Sequence, residues 1–447
     1  MATIGGGIVS KKVLLRAPLL TRSGYGEQSR YIMRALRSRE DLFDIYIQPL
    51  QWGQCSWTAE YNEERQWIDH IIEKTIWYLQ GENPNPAFDM SIQVTIPNEW
   101  EKLAPINIGY TAGIETTKVA HEWIVKANEV IDNIITISTH SKNIYKGTQW
   151  EAARQLPSGE QEKFVLSLEK PIEAISYPTK TYETLPEVEL DLEYDFNFLV
   201  TAQLSPRKNI NNTLQWFIEE FKDEEVGLVF KGNIAKNSQM DREHLYNELA
   251  KFYRNNAADY KCKLYLLHGD MTDPEMHSLY THPKISALIS LAHGEGFGLP
   301  IFEAAYSGLP VVATGWSGQL DFLVDEKGKE HFYNVNFDLQ PIQQEVVWEG
   351  VLVKDSMWAY ARGQSAKEKM RECYEDIVSK KKGSIAINAP KYGKALHKRF
   401  AQDKMYAEFV DLILQTPSSD QVAPGQTLGQ SFDVESWLDS LDIEEHE

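Results

Sequence analysis

Residues 284–291 (KISALISL) form a short apolar run. In the glycine-rich stretch that follows, residues 293–303 (HGEGFGLPIFE), the apolar residues are no longer continuous but are separated by a glycine and a proline. The run has the length and composition of a buried parallel strand. Pro300 suits the first position of a helix, and Gly308 is placed to end that helix before the apolar run at residues 309–313. The pattern predicts a strand, a glycine loop and a helix in succession, which is half of a doubly wound unit.

Short apolar runs alternate with stretches of helical spacing through most of the chain. Strands are predicted at residues 12–16, 44–48, 90–95, 106–110, 131–137 and 171–177, and then at residues 197–201, 227–231 and 263–267. Helices are predicted at residues 28–37, 119–129, 211–221, 242–255, 358–379 and 392–414, and a loop or frayed helix at residues 151–162. This alternation predicts an α/β protein with two parallel sheets.

The length of the chain favours two domains. Its 447 residues, of which 42% are hydrophobic, are enough for two full-sized cores. An extended acidic stretch at residues 178–192 is the predicted linker. We therefore expect one domain at residues 1–185 and a second at residues 186–395.

Charge and cysteine content narrow the class of protein. The formal net charge of -20 argues against a general nucleic-acid-binding or anionic-membrane surface, although it is compatible with a local basic cleft. Cys55, Cys262 and Cys373 are too far apart for a CxxC pair or a disulfide framework, as is typical of a reducing compartment. No apolar stretch reaches membrane-spanning length. We expect a soluble, cytoplasmic protein.

The glycine-rich stretch carries two candidate carboxylates, Glu295 and Glu303. Because glycines and a proline separate them, Glu295 is expected on the loop and Glu303 on the helix, with both facing one ligand. Glu303 is suited to accept hydrogen bonds from a vicinal diol such as a ribose. Glu295 is suited to bind a sugar hydroxyl or to stabilise positive charge on a sugar ring. The backbone N–H groups between them are suited to cradle a diphosphate, and they belong to Gly296, Phe297, Gly298 and Leu299.

Three features of this region occur together: Glu295 and Glu303 with GFGLP between them, GLPVVA at residues 308–313 and GWSG at residues 315–318. Together they resemble the donor site of retaining GT-B glycosyltransferases of family four, the "group 1" type. The resemblance implies two Rossmann-like, doubly wound domains that face each other across a cleft. It also implies a last helix, residues 396–415, that crosses back onto the first domain. The implied reaction transfers a sugar from a nucleotide diphosphate sugar, most often a UDP-sugar, to an acceptor hydroxyl with retention of configuration. No cofactor or metal is implied, and no Asp-x-Asp motif lies in a strand context.

The resemblance also assigns roles outside that stretch. Lys208 matches the family lysine that neutralises the donor phosphate. Gln203 stands where the family usually has an arginine, so Arg207 is the candidate to compensate. Gly24 and Gly26 match the glycine loop that lies across the cleft from the diphosphate, although a plain tight turn fits them about equally well.

Glu115 follows a predicted strand of the first domain, at the expected mouth of the sheet. It is a catalytic candidate beside Glu295, in contact with the acceptor or the transferred sugar, and capping of the following helix is the alternative. Family members often carry a histidine near the reacting sugar, but no histidine here lies in an equivalent motif. His121 and His140 are nearby, and a position on a helix surface is the commoner arrangement for each.

The end of the chain differs in composition from the rest. Residues 416–430 are rich in Pro, Gly, Ser and Gln, and apolar residues then alternate with acids at residues 432–443. Residues 416–447 hold eight acidic residues and no Lys or Arg. This predicts a flexible acidic tail with a docking helix for a protein partner, similar to the acidic peptides that phage replication and transcription proteins dock on a sliding clamp. Folding onto its own surface, or disorder, is the alternative.

The acceptor and two rival functions stay open at this point. A glycan, a lipid-linked sugar, a protein, a small metabolite or a modified base in phage DNA would each supply a hydroxyl. The rivals are a nucleotide-sugar epimerase, which needs no acceptor, and a non-catalytic nucleotide-sugar-binding module, which would leave the anomeric bond intact. A dinucleotide oxidoreductase is less well supported, because no Gly-x-Gly-x-x-Gly opens the first strand and helix.

Overall fold

The computed structural model describes residues 10–53, 57–58, 60–81, 87–155, 161–256 and 259–418. Within these ranges the chain forms two six-stranded parallel sheets flanked by helices, and two short antiparallel sheets of two strands. The prediction of an α/β protein with two Rossmann-like domains is therefore confirmed. The predicted docking segment at residues 432–443 lies outside the described residues, as does Cys55.

The first domain consists of residues 11–174 and is built on one parallel sheet. Its strands are β1 (Lys11–Ala17), β2 (Phe43–Pro49), β3 (Met90–Val94), β4 (Ile106–Thr111), β5 (Asn133–Thr136), β6 (Trp150–Gln155), β7 (Gln161–Leu166) and β8 (Ile172–Ala174). Its helices are α1 (Gly24–Arg37), α2 (Glu63–Gln80), α3 (His121–Val130) and α4 (Thr139–Gly147). The sheet has the order β2-β1-β3-β4-β5-β8, and the other two strands pair with each other.

The second domain repeats this arrangement. Its strands are β9 (Asn197–Gln203), β10 (Gly227–Asn233), β11 (Lys263–Leu267), β12 (Ile285–Ser290), β13 (Val311–Thr314), β14 (Tyr333–Val335), β15 (Phe337–Pro341) and β16 (Met357–Ala361). Its helices are α5 (Ile210–Phe221), α6 (Gln239–Asn256), α7 (Asp273–Tyr280), α8 (Leu299–Tyr306), α9 (Leu320–Leu323), α10 (Gly363–Val378), α11 (Ile385–Arg399) and α12 (Gln402–Gln415). The parallel sheet has the order β11-β10-β9-β12-β13-β14, and β15 pairs with β16. None of the helices in the described ranges combines the length and the apolar composition that crossing a bilayer requires.

Three local predictions are wrong. Within the stretch predicted as a loop or frayed helix, residues 151–155 and 161–162 belong to the antiparallel strands β6 and β7, and β7 is exposed along most of its length, so no apolar alternation marks it. The helix predicted from residue 358 begins only at Gly363, because residues 357–361 form strand β16. The single helix predicted at residues 392–414 is two helices, because the backbone leaves the helical conformation at Phe400 and Ala401.

Helix α12 lies against the first domain, although the strands nearest to it in sequence belong to the second. The hydroxyl of Tyr31 donates a hydrogen bond to the carbonyl oxygen of Met405 (3.0 Å), and its ring stacks on Tyr406 at 5.8 Å between centroids. Phe409 is fully buried and stacks on Tyr110 of β4 at 6.2 Å. The end of the described chain thus holds the two domains together by apolar packing.

The loops of the two domains touch at glycines of the stretch between β12 and α8. A Cβ atom built on Gly294 would lie 2.1 Å from the carbonyl oxygen of Glu115, and one built on Gly296 would lie 2.1 Å from the carbonyl oxygen of Ala112. Real Cβ atoms do not approach oxygen so closely. The missing side chains therefore let the backbone of the second domain pack directly on the loop that follows β4.

Replacing Gly296 with alanine is expected to push the two loops apart. The new Cβ would meet backbone rather than a flexible side chain, so relief requires a shift of a whole loop and destabilises the closed arrangement by about 1–3 kcal/mol. A lower midpoint of denaturant unfolding and a larger radius of gyration in small-angle scattering would measure this.

Gly147→Ala is the matched control, because a Cβ built on Gly147 has no atom within 4 Å. Its unfolding midpoint and radius of gyration should stay close to those of the wild type. If Gly296→Ala also matched the wild type in both measurements, the close approach of the loops would have no energetic significance.

Candidate active site

Four of the predicted residues meet at the boundary between the domains. The Nε of Arg207 lies 2.8 Å from the Oε2 of Glu115, and its Nη1 lies 3.0 Å from the Oε2 of Glu295. The Nζ of Lys208 lies 2.5 Å from the Oε1 of Glu295. Two carboxylates and two cations thus form one ion network, to which the first domain contributes Glu115 and the second domain the other three.

The turn after β9 places the two cations. Asn209 adopts the left-handed conformation (φ 54) where α5 begins, and its side-chain amide donates to the carbonyl oxygen of Leu291 (3.1 Å). The carbonyl oxygen of Arg207 accepts from the backbone N–H of His293 (2.8 Å), and its Nη1 donates to the carbonyl oxygen of Gly294 (2.7 Å). The carboxyl ends of β9 and β12 are thereby fixed to each other, as expected of a ligand site in a parallel sheet.

Burial and ion pairing set opposite pKa shifts on the two glutamates of the network. Burial alone would raise the pKa of Glu295, but the charges and hydrogen bonds of Lys208 and Arg207 lower it below its ordinary value. Burial raises the pKa of Glu115 above its ordinary value, although Arg207 opposes this. Glu295 is therefore the carboxylate that stays ionised most readily, because two cations rather than one surround it.

The residues of the glycine-rich stretch have different structural roles. Gly298 has a positive φ of 92 and immediately precedes α8, a backbone conformation that favours glycine. Phe297 is 2% exposed, and its ring packs against Tyr177 (5.1 Å between centroids) and Phe322 (4.9 Å). The side chain of Phe297 therefore anchors the loop in the core, and only the backbone of this residue is left to contact a bound ligand.

Glu303 has partners other than those of Glu295. It lines an interdomain cavity of about 490 Å³ with Leu299, and Glu295 is not among the lining residues. The first domain contributes Ser23 and Arg22 to the same cavity. This volume lies within the range of small-molecule sites, about 300–1,000 Å³. The structure thus gives the two glutamates separate surroundings, one in the ion network and one in the cavity.

Burial and nearby carboxylates determine the ionisation of Glu303. Its Oε2 accepts a hydrogen bond from the hydroxyl of Tyr280 (3.1 Å). Lys180, the cation that acts on it most, is already paired with Glu27 (2.8 Å) and Asp273 (2.6 Å). Burial raises the pKa of Glu303 to about 7, with Asp273 and Glu27 adding to the rise and Lys180 opposing it.

Gly24 and Gly26 lie in the first turn of α1, which begins four residues earlier than predicted because Ser23 caps it and accepts from the N–H of Gly26. A Cβ built on Gly26 would lie 2.0 Å from the carbonyl oxygen of Thr21, so this glycine is required by local packing. Gly24 has open space around its Cα, and its carbonyl oxygen accepts from the hydroxyl of Tyr177 (3.1 Å). The start of α1 nevertheless presents helix N–H groups beside the cavity, since Ser23 lines it.

Sequence reasoning missed the position of His140. The residue follows β5 at the start of α4, and its ring lies 4.8 Å from that of Trp316 in the second domain. Its Nε2 is buried and has no hydrogen-bond partner among the described residues, and burial lowers its pKa to about 4. His140 is therefore at the domain boundary. The sequence feature that could have indicated this position is that His140 follows a buried parallel strand, because ligand sites form beyond the carboxyl ends of such strands.

Gln203 stands where the resemblance implies an arginine, and Asp321 follows the GWSG stretch at residues 315–318. The side chain of Gln203 is exposed and donates to the carbonyl oxygen of Ile234 (3.0 Å). The carboxylate of Asp321 accepts from the backbone N–H of Thr139 (2.6 Å), at the first residue of α4. Asp321 thus forms a further contact between the domains, while Gln203 makes no contact with the ion network.

Known proteins share this fold and, in part, this sequence. Residues 183–338 match the family model described as glycosyl transferases group 1. A glycosyltransferase from Rickettsia africae has a TM-score of 0.56 at 12% identity, over 91% of this chain and 100% of that one. Sucrose-phosphate synthase from Thermosynechococcus elongatus has a TM-score of 0.55 at 11% identity, over 91% of this chain and 98% of that one. HepE from Anabaena, solved with UDP and glucose, has a TM-score of 0.51 at 13% identity, over 90% of this chain and 99% of that one.

At these identities the solved structures establish the fold, and the family model adds the sequence evidence. No curated protein sequence matches the chain. The matched segment contains the cations of the ion network, both glutamates of the glycine-rich stretch and all six strands of the second parallel sheet. The resemblance to group 1 glycosyltransferases is confirmed. Residues 183–338 are thus similar in sequence to the group 1 glycosyl transferases, and the described part of the chain has the two-domain GT-B fold.

Proposed function

We propose that this chain is a retaining glycosyltransferase that transfers a sugar from a UDP-sugar to an acceptor hydroxyl. One observation carries the proposal: a cavity of about 490 Å³ between the domains is lined by Glu303 and by the first turn of α8, in a domain of the group 1 family. HepE was solved with UDP and glucose, and the structure of E. coli "Trehalose-6-phosphate" (TM-score 0.52, 8% identity) contains UDP-2-fluoro glucose. These titles support a UDP-sugar as donor.

Two groups of residues bind the UDP-sugar donor, one at its ribose and one at its diphosphate. Glu303 accepts hydrogen bonds from the two ribose hydroxyls, and the N–H groups at the start of α8, from Gly298 and Leu299, bind the diphosphate. Lys208 neutralises the diphosphate, and Arg207 supplies the second positive charge that Gln203 lacks. In the structure both cations are paired with Glu295, so the donor phosphates compete with that carboxylate for them. The start of α1, at Gly24 and Gly26, faces the diphosphate from the first domain.

Glu295 and Glu115 act on the sugar and on the acceptor. As the bond from the sugar to the diphosphate breaks, positive charge develops on the sugar ring, and the ionised Glu295 stabilises it. Glu115 orients the acceptor hydroxyl from the first domain. The departing phosphate takes the proton of that hydroxyl, so the reaction needs no separate base. The cations Lys208 and Arg207 neutralise the diphosphate, and on this basis we propose a metal-independent reaction.

Closure of the domains keeps water out of the site. The ion pair of Arg207 with Glu115 and the bond of Asp321 to Thr139 both join one domain to the other. A closed site protects the activated sugar from hydrolysis until the acceptor has bound. The acceptor is a glycan, a lipid-linked sugar, a protein, a small metabolite or a modified base in DNA. The net charge of -20 disfavours duplex DNA, unless the cleft itself is basic.

Two further expectations belong to the proposal. A cytoplasmic location is supported by Cys262 and Cys373, which are both buried free thiols. A protein partner that binds residues 432–443 is supported by the alternation of apolar and acidic residues there.

Incubation with a panel of nucleotide sugars tests the proposal against its rivals. Release of the nucleotide should depend on an added acceptor and should be fastest with one UDP-sugar. An epimerase would convert the donor without an acceptor and would release no nucleotide. A non-catalytic module would bind a donor and leave its anomeric bond intact. Either of these two results would replace the proposal.

The two glutamates of the glycine-rich stretch should differ in kinetics. Loss of a hydrogen bond to a charged group costs about 1.5–3 kcal/mol, so Glu303→Ala should raise the Kd for the donor about 10-fold to 100-fold. Glu295→Ala should lower kcat about 100-fold or more, because its contribution arises mainly in the transition state, while the Kd should not rise, because the donor phosphates then no longer compete with this carboxylate for Lys208 and Arg207. Titration calorimetry and donor turnover measure the two quantities.

Glu326→Ala is the control, since Glu326 is an exposed glutamate on a surface turn of the same domain. It should match the wild type in both measurements. Wild-type behaviour of both Glu303→Ala and Glu295→Ala would refute the assignment of the site.

Donor affinity should also depend on pH through Glu303. Because its pKa is raised to about 7, the carboxylate loses its charge as the pH falls through 7, and its hydrogen bonds to the diol weaken. The affinity for a UDP-sugar should therefore rise about tenfold from pH 6 to pH 8 and then level off. Calorimetry across this range measures it, and a UDP-sugar is the right probe because its diphosphate does not titrate there.

Glu303→Gln separates this effect from the titration of other groups. The amide has no charge to lose, so the pH dependence should flatten while the affinity stays low throughout. An unchanged slope in Glu303→Gln would assign the titration to a different group.

A further inference from the structure

Two cationic side chains converge on the segment that follows β11, outside the ion network. Lys231 of β10 is 8% exposed, and its Nζ donates a hydrogen bond to the carbonyl oxygen of Gly269 (2.6 Å). An ammonium group has three N–H donors. Only this one hydrogen bond of Lys231 is present in the described part of the chain, so donors remain for a ligand.

Arg22 reaches the same segment from the first domain. Its Nη1 donates to the carbonyl oxygen of Met271 (3.1 Å), and its Nη2 pairs with Glu60. Its Nε is buried and has no hydrogen-bond partner among the described residues, and the nearest carboxylate oxygen, from Asp270, is 4.0 Å away. A buried donor without a partner is costly, which makes this N–H a candidate to bind a ligand.

The segment between the two cations is held rigidly. Gly269 has a φ of 117, a conformation that favours glycine, and the Oδ1 of Asp270 accepts from the side chain of Asn237 (2.5 Å). Helix α7 then begins with a capping box, in which Thr272 and Glu275 satisfy each other's backbone N–H groups. The carbonyl oxygen that orients Lys231 therefore has a fixed position.

This corner adjoins the interdomain cavity. Arg22, Thr272 and Asp273 line the cavity together with Glu303, and all four residues lie near the carboxyl ends of parallel strands or at the start of α7. The segment after β11, which Lys231 and Arg22 contact, leads directly into Thr272 and Asp273 on the cavity wall. A nucleotide whose ribose binds Glu303 in this cavity can therefore reach that segment with its base.

We propose that Lys231 and Arg22 select the nucleobase of the donor by donating hydrogen bonds to its carbonyl oxygens, and that they favour uracil over adenine. The inference rests on the proposed function. Uracil presents two carbonyl oxygens to N–H donors, whereas adenine has no carbonyl oxygen and presents ring nitrogens and a donating amino group, which match two converging N–H donors less well. A site with buried donors rejects a ligand that leaves them unpaired. Because Arg22 and Lys231 come from different domains, binding of the base also favours closure.

Binding of UDP and ADP to wild type and to Lys231→Met tests the inference. The wild type should bind UDP at least about tenfold more tightly than ADP. In Lys231→Met, affinity for UDP should fall about tenfold or more, while affinity for ADP should change less than about threefold, so the selectivity is lost. An unchanged ratio of UDP to ADP affinity in Lys231→Met would overturn the inference.

Lys284→Met is the matched control. Lys284 is also partly buried and its Nζ donates to one backbone carbonyl oxygen, that of Leu192 (2.7 Å), but it precedes β12 at the opposite end of the sheet. This variant should keep the wild-type ratio. Competition by inorganic pyrophosphate should be the same in all three proteins, which would exclude general damage to the diphosphate site.

Arg22→Gln provides a second variant should Lys231→Met fail to fold. Arg22 is more exposed than Lys231, and its loss should reduce the ratio of UDP to ADP affinity by about threefold or more. A wild-type ratio in this variant would count against the inference. Failure of the wild type to bind any nucleoside diphosphate would sink the proposed function and this inference together. Binding and transfer with unchanged selectivity in the variants would sink the inference alone.

Discussion

The guanidinium of Arg207 lies between Glu115 of the first domain and Glu295 of the second, and the arrangement of the site depends on this contact. Buried charges are tolerated only when they are paired, and loss of one partner leaves the other uncompensated. The contacts of Arg207 with Glu115 and Glu295 therefore link the relative position of the domains to the ionisation of both glutamates. On the proposed function, an anionic donor that binds Arg207 and Lys208 would change that balance, so donor binding and domain position would be coupled through the same few atoms.

The glycine-rich stretch shows how one motif meets several constraints. Gly294 and Gly296 allow the backbone of the second domain to lie against the carbonyl oxygens of the first, while Gly298 supplies the left-handed conformation before α8. Phe297 fastens the loop into the core. A reading of the glycines as phosphate ligands alone would overlook the first of these constraints, because contact between domains leaves no trace in the local sequence.

The sequence predicted the two sheets and most of their strands because buried parallel strands are continuous apolar runs, as at β10 and β12. It failed where that signal is absent. Strand β7 is exposed and polar, and a single residue separates β16 from helix α10, so the strand and the helix run together in the sequence. The partners of Glu303 could not be predicted either, because Lys180 lies 123 residues before it in the chain and only the fold brings them near each other.

The two glutamates of the motif are chemically identical, and their surroundings separate their properties. Glu295 has two cations within hydrogen-bonding distance, which keep its pKa low, and the proposed stabilisation of a positively charged sugar ring requires that charge. Burial raises the pKa of Glu303 to about 7, and Lys180, which opposes the rise, is already paired with Glu27 and Asp273. On the proposed function, the two sites therefore respond to pH differently. Glu295 keeps its charge well below neutral pH, whereas Glu303 gains its charge, and with it its strongest hydrogen bonds to the diol, only as the pH rises through about 7.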